Sequence, residues 1–377
     1  MLVHGFGVLG YVIAVVMAVV AFLRTMQADP ITSRFVVWLQ LLAYYLRYWV
    51  LWLFVWANLQ LLIDNHTLYW LVLALCLLYI YMTWIEPNRL RIVYQTIDLN
   101  NHVKTNLNKN LNKELINANQ NPLLKIAVIG DVHIGIFHHK KQQKRWIKTL
   151  NHLDVDAVLF TGDWLYHAGA DLVGTMMLFR AINKPCYTTL SQTDSEQQGK
   201  FADIIPNVNL TDVLDILNVQ TLNNQLTVIN GVTVIGLSPE NPTQKNNKTA
   251  IYQWLDKNPN KPNVILTHDI KTCQANPQFV NKLTEKSLVI AGQTHGGQVS
   301  LPMITKKMVR AMTGSRYLSG YYPVYSNHQT IKTIKSNLSK PNLQKRCYHV
   351  WINTGVGMTG LPFRLNCPPQ IDVLTLR

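Results

Sequence analysis

"LLKIAVIGDVHIG" (residues 123–135) decides how the larger part of this chain folds. Its first seven residues are apolar apart from Lys125. That run suits a buried strand and is short for a helix. Gly130 closes it, and Asp131 and His133 follow two apart. On an extended segment residues i and i+2 point the same way. The pair therefore predicts a carboxylate and an imidazole gripping one cation.

The same arrangement, a strand and then a polar turn, recurs downstream. "LFTGDWLYH" places Asp163 behind a glycine, and "TLSQTD" places Gln192, Thr193 and Asp194 after the next strand. "VILTHDI" supplies His268 and "VIAGQTHGG" supplies Gln293 and His295. An α/β sheet builds its site at the ends of adjacent strands. Aspartate and histidine there suit Mn, Fe, Zn or Mg. Each piece alone is common in proteins without metal; five in order, each ending a strand, point to one site.

Around these pieces, helices are expected over 140–153 and 171–183. The pair "LTVI-NG-VTVI" reads as a hairpin, because Asn-Gly suits a tight turn with positive φ. Further strands are expected at "RLRIVYQTI", "DAVLF", "CYTTL", "NVILT", "SLVI", "QVSL", "HVWIN" and "IDVLTL". The pattern gives an α/β fold of two packed sheets flanked by helices. The basic stretch 316–346 reads as a loop or hairpin over one edge.

The first 85 residues differ in kind. Three apolar runs, 2–23, 35–63 and 67–85, each reach or approach the roughly 20 residues a membrane helix needs. The organisation expected is a three-helix transmembrane anchor over 1–85, a juxtamembrane strand and an Asn/Lys-rich linker over 86–122, and an enzyme-like domain over 123–377. The chain carries a formal net charge of +15. Only Arg24, Arg34, Arg47, Asp29 and Asp64 are charged among the first 85 residues, so nearly all the excess lies beyond them. A basic domain beside an anionic leaflet is attracted to it. Nucleic acid is the rival explanation for such charge, but no nucleic-acid motif is present and none is expected as partner. Arg24 and Arg34 flank the first loop, and Arg89 and Arg91 follow the third run. Lys and Arg favour the cytoplasmic side. A multi-pass inner-membrane protein with a cytoplasmic soluble domain is expected. Arg47, inside the second run, reads as a snorkelling or carbonyl-paired arginine, with a functional charge as the alternative. The five cysteines are scattered and form no zinc or disulfide pattern.

Taken together, D-V-H, G-D, the isolated His268 and "GQTHGGQVSLP", with the tail "NTGVGMTGLPFRLNCPPQIDVLTL", resemble the calcineurin-like metallophosphoesterases, and among them the membrane-anchored bacterial phosphoesterases. The resemblance covers about residues 125–377. It implies the family's two-sheet α/β sandwich and a hydrolase with a divalent metal. It assigns Asp131, His133, Asp163 and His295 to a first metal, with Asp163 bridging to a second.

The remaining ligand positions of that second metal fall on Gln192, His268 and Gln293. Gln192 and Gln293 stand where the family has Asn and His, so one tight metal and a weak or absent second are expected. Thr193 replaces a histidine that protonates leaving groups, and Asp194 keeps the carboxylate that supports it. These departures leave two expectations open. One is a metallophosphoesterase acting on a phosphorylated small molecule or lipid, such as a pyrophosphate-linked lipid or nucleotide, at the cytoplasmic leaflet. The other is a non-catalytic metal-binding domain that holds a phosphorylated lipid or a protein partner. The residues themselves imply no protein partner.

Overall fold

A computed structural model describes residues 2–27, 33–60, 66–99, 122–137, 140–167, 172–196, 209–239, 245–326 and 346–377. The Asn/Lys-rich linker lies almost wholly outside the described residues, as does much of the basic stretch 316–346.

Three apolar helices open the chain: α1 (Leu2–Gln27), α2 (Arg34–Gln60) and α3 (His66–Ile80), the last continuing as a π-helical turn over Tyr81–Ile85. Stretches Val8–Gln27, Arg34–Trp56 and Trp70–Asn88 are long and apolar enough to cross a membrane. Val12, Val15, Val19, Phe22, Trp70 and Leu75 are exposed on them, which suits a lipid-facing surface and no aqueous one.

The rest folds as two six-stranded sheets and one two-stranded sheet, β3 (Ile134–Gly135) with β5 (Leu165–Tyr166). The first has the order β1 (Arg91–Ile97), β14 (Gln370–Leu376), β2 (Leu124–Ile129), β4 (Ala157–Phe160), β6 (Cys186–Thr188), β7 (Val219–Thr221). The second runs β12 (Gly320–Ser326), β13 (Arg346–Ile352), β11 (Ser287–Ala291), β10 (Asn263–Thr267), β9 (Val232–Leu237), β8 (Gln225–Ile229). Alternation along β2 explains the layers. Ile126 and Val128 face Val234, Val264, Leu288 and Ile290 between the sheets. Ala127 and Ile129 face the opposite way, onto Trp146, Ile147 and Leu150 of helix α4 (Lys140–His152). Strand β14, from the C-terminus, inserts beside β2 antiparallel, with Leu374 opposite Ile126.

Several expected elements differ. Strands β8 and β9 form the hairpin, Ile229 pairing with Val232 across Asn230 (φ 47°) and Gly231 (φ 81°). "QVSL" contributes only an isolated bridge, Val299 to Leu365; the glycine turn before it leaves no partner strand in register. The expected helix at 171–183 is a short α-helix, Leu172–Met176, ending in a 3-10 turn, Met177–Ala181. Strands β12 and β13 pair antiparallel at a sheet edge, as expected for a hairpin there.

The apolar helices pack directly on the sheet domain. Ala21, Val37, Leu41 and Tyr44 cluster with Ile136, Phe137, Tyr166 and Met358. Gln40 Nε2 donates to the Tyr166 hydroxyl at 3.0 Å, and the Arg364 backbone N–H donates to Met82 O at 3.0 Å. Phe137 and Tyr166 belong to the loops that carry Asp131, His133 and Asp163, so the helices bear on the site.

Candidate metal centre

Asp131, His133, Asp163, His268 and His295 come from four strand ends and meet in one buried cluster. His133 Nε2 lies 2.9 Å from His295 Nε2 and 3.3 Å from Asp163 Oδ2. His268 places Nε2 3.7 Å from Asp163 Oδ2 and Nδ1 3.5 Å from Asp131 Oδ1. His295 Nε2 is 3.9 Å from Asp131 Oδ1. The atoms form two overlapping groups: Asp131 with His133 and His295, and Asp131 with Asp163 and His268. Asp163 Oδ2 approaches Nε2 of both His133 and His268, but the residue common to the two groups is Asp131.

The backbone route to this geometry differs from the expected one. Asp131 and His133 do not sit on an extended segment. Their φ values are 48° and 49°, and Asp163, Gln293 and His295 are at 60°, 66° and 50°. Each such non-glycine residue costs on the order of 1–3 kcal/mol and persists only when the surroundings over-determine it. Here they do. The Asp131 N–H donates to Gly162 O at 3.1 Å, and the His133 N–H to Asp163 O at 3.0 Å. The Gly357 N–H donates to Asp131 O at 2.8 Å. Left-handed turns let side chains two apart converge where extension would not bring four loops together.

The residues present fit a divalent cation. Asp131 Oδ2 and His133 Nδ1 are buried with no hydrogen-bond partner. The facing Nε2 atoms of His133 and His295 cannot both present a proton to each other. Burial pushes the Asp131 carboxyl above its usual range, against the pull of His268 and His133. Burial disfavours charge on His268 too, yet Asp163, Asp131 and Asp194 together raise its pKa. A cation would relieve both conflicts. The floor is free of Cβ atoms: one added at Gly292 would come 3.1 Å from Asp131 Oδ2, and one at Gly355 2.7 Å. His268 Nδ1 lies 3.2 Å from Thr161 O. With the proton there, Nε2 is left as the ligand atom.

Asp194 is taken up by backbone. Its carboxylate accepts from the N–H groups of Asp163 (2.7 Å), Trp164 (2.8 Å) and Ser191 (3.1 Å). Burial, then the Asp163 charge, raises its pKa to about 6. It is a bracket that shapes the Asp163 turn. Thr193 is half-buried and Gln192 exposed on the helical turn Gln192–Glu196. The Gln293 backbone N–H donates to Asp131 Oδ1 at 3.2 Å, while its side chain is half-buried.

Three contributors were not singled out from the sequence. Ser191 Oγ donates to Asp163 Oδ1 at 3.0 Å. Asn353, whose Oδ1 accepts from the Gly355 N–H at 2.8 Å, shapes the loop over Asp131. Arg364 is fully buried and donates to the carbonyls of Thr354, Gly355, Gly357 and Cys367. Arg364 and Asn353 lie in the quoted C-terminal tail, and a lone arginine among apolar residues and prolines was the available signal.

Residues 124–297 match the family model described as calcineurin-like phosphoesterase. Residues 124–297 form a metallophosphoesterase domain, that of a hydrolase, with Asp and His groups placed for divalent metal. Its relatives include the UDP-2,3-diacylglucosamine pyrophosphatase LpxG of Chlamydia trachomatis, 24% identical over 78% of this chain and 92% of the relative. A metallophosphoesterase of Helicobacter pylori is 25% identical over 67% of this chain and 60% of its own length. The metallophosphoesterase YkuE of Bacillus subtilis is 23% identical over 67% and 79%.

Proposed function

We propose that this chain is a membrane-anchored, metal-dependent hydrolase of a pyrophosphate-linked lipid or nucleotide, working at the cytoplasmic leaflet of the inner membrane. One observation carries the reading. The Asp/His cluster sits directly beside helices long and apolar enough to cross a bilayer, with Tyr166 edge-on to His133 at 5.3 Å and hydrogen-bonded to Gln40 of α2. A site so placed meets a lipid substrate without extracting it far from the membrane. The similarity to a UDP-2,3-diacylglucosamine pyrophosphatase, which spans 78% of this chain and 92% of that relative, supports the same class of bond. Arg24 and Arg34 flanking the first loop, and Arg89 and Arg91 after α3, support a cytoplasmic domain.

Asp131, His133, Asp163 and His295 would hold the tighter metal. Asp163 and His268, with Gln192 and Gln293, would hold a weaker second. A bound divalent ion supplies Lewis acidity and a hydroxide near neutral pH. The chain's own groups do the rest. Asp194 holds the Asp163 backbone N–H, Ser191 Oγ donates to the Asp163 carboxylate, and Thr161 O fixes the imidazole of His268. Thr193 cannot donate a proton near pH 7, unlike a histidine. The substrate must therefore carry a leaving group that departs as a stable anion, as a phosphate monoester does from a pyrophosphate.

The test is a series of phosphodiesters of rising leaving-group pKa, run beside a lipid-linked pyrophosphate. The rate should fall steeply along the series, and Thr193→His should flatten the slope. A flat slope in the native protein would refute the leaving-group argument.

A further inference from the structure

Arg47 lies within α2, more than nine-tenths buried, with its Nε shielded from solvent and without a hydrogen-bond partner. Its guanidinium sits 3.9 Å over the Tyr44 ring, and Tyr48 and Trp84 approach at 5.0 and 5.8 Å. Its hydrogen-bond partners are the hydroxyls of Tyr44 and Tyr48, the latter at a long 3.4 Å. Cation–π contact offsets part of the desolvation of such a group. It leaves Nε without a partner and, among the described residues, the charge without a counter-ion.

The same arginine lines a cavity of about 600 Å³ between the helices and the sheet domain. Lys141 and Arg145 of α4 line it from the other side, with Trp84 and Trp146 as walls. No acidic side chain among the described residues lines it. Among the described residues, none of Arg47, Lys141 and Arg145 has a carboxylate within ion-pair distance. Arg145 instead donates to the Asn88 carbonyl, which turns it toward the end of the Trp70–Asn88 stretch. Three cations, one of them buried with its Nε unpartnered, face a cavity with aromatic walls where an apolar helix ends. Tryptophan belongs at that depth, at the headgroup level. Guanidinium forks suit phosphate oxygens.

We infer that this cavity binds the phosphate of an anionic glycerophospholipid, whose acyl chains lie along α2 and α3. The inference rests on the proposal that the helices cross a bilayer, and it concerns a site apart from the metal centre. None of the cavity's lining residues belongs to the Asp/His cluster. A ring sequence links the two. Tyr44 stacks on Phe137 at 5.8 Å, Phe137 meets Tyr166 at 5.7 Å, and Tyr166 meets His133 at 5.3 Å. A lipid filling the cavity would hold α2 and α4 together on the side of α2 that bears on the catalytic loops.

The experiment uses the full chain in nanodiscs and reads lipid retention by native mass spectrometry, without turnover. Against phosphatidylcholine, phosphatidylglycerol should be retained at one molecule per chain. Lys141→Gln/Arg145→Gln, two exposed positions whose exchange spares the fold, should weaken retention about ten- to hundredfold. Lys306→Gln/Lys307→Gln, which removes the same charge far along the chain, should leave it unchanged, and so should Asp131→Asn. Arg47→Lys, which keeps the charge but not the fork, should weaken retention while preserving the melting temperature of lipid-free protein. Equal loss from both double variants would mean general surface attraction and overturn the site. Displacement of the lipid by millimolar inorganic phosphate would assign the cavity to a soluble anion and overturn the lipid. Because hydrolysis is not the readout, failure here would leave the proposed activity standing.

Discussion

Replacing Gly355 by alanine separates backbone strain from damage to the metal centre. Gly355 has φ 67°, where an L-residue is strained by about 1–2 kcal/mol. Gly231 in the β8–β9 hairpin has φ 81° and open space around a would-be Cβ, so Gly231→Ala carries only that backbone term. At Gly355 the new Cβ would also lie 2.7 Å from both Cβ and Oδ2 of Asp131. Asp131 cannot retreat, because its backbone is held from both sides by Gly162 and Gly357 and its side chain is fully buried. The carboxylate must rotate away. Misdirecting a ligand in this way costs roughly 10–100-fold in metal affinity. Both variants should lower the melting temperature by roughly 2–8 °C, the range for this strain in a domain of this size. Titration calorimetry with Mn²⁺ on the full chain should show native affinity for Gly231→Ala and the large loss for Gly355→Ala. Native affinity in Gly355→Ala, or equal loss in both, would refute the cradle.

Asp372 accepts from Trp351, Asn353 and Gln370, yet burial raises its pKa to about 6. A carboxyl raised on folding stabilises the native state below its unfolded pKa near 4, and that contribution is lost as pH rises through about 6. Asp372→Asn should therefore flatten the decline in melting temperature between about pH 4 and 6, and it should melt higher than the native chain at pH 7.5. An unchanged profile would contradict the assignment. Asp194→Ala strips three backbone N–H groups of their acceptor, at about 1–3 kcal/mol for each one left buried. It should lower both stability and metal content, whereas Gln293→Ala should leave the tighter metal in place. A cysteine at Asn65 should react with an impermeant thiol reagent in intact cells and one at Asn260 should not; the reverse would overturn the orientation.

Strand chemistry was readable where it is local. Asn230-Gly231 announced its hairpin, and β2 announced itself by an apolar run that its two neighbouring cores absorb on alternate residues. Sheet order was not, because the insertion of β14 beside β2 joins residues some 250 positions apart through backbone bonds no local pattern encodes. The helix Ile304–Thr313 went unseen: it lacks a side-chain cap, follows Met303 at φ 63°, and buries only Thr305 and Val309. At the site, the identity of Asp131, His133, Asp163, His268 and His295 was legible as types and spacing. Their left-handed backbone was not, since aspartate and histidine adopt either conformation and only the surrounding loops choose. Arg47 was legible as an oddity in an apolar run. Its aromatic cage depends on Trp84, which arrives from another helix.

The most direct test incubates the purified full chain with Mn²⁺ and a lipid-linked nucleoside pyrophosphate in mixed micelles, with products resolved by mass spectrometry. The account predicts cleavage of the pyrophosphate link into two phosphate monoesters, abolished by chelator. Asp131→Asn should reduce it ~10³-fold, the several kcal/mol expected of lost metal chemistry. Metal bound at the cluster with no cleavage, or cleavage that survives Asp131→Asn, would contradict it.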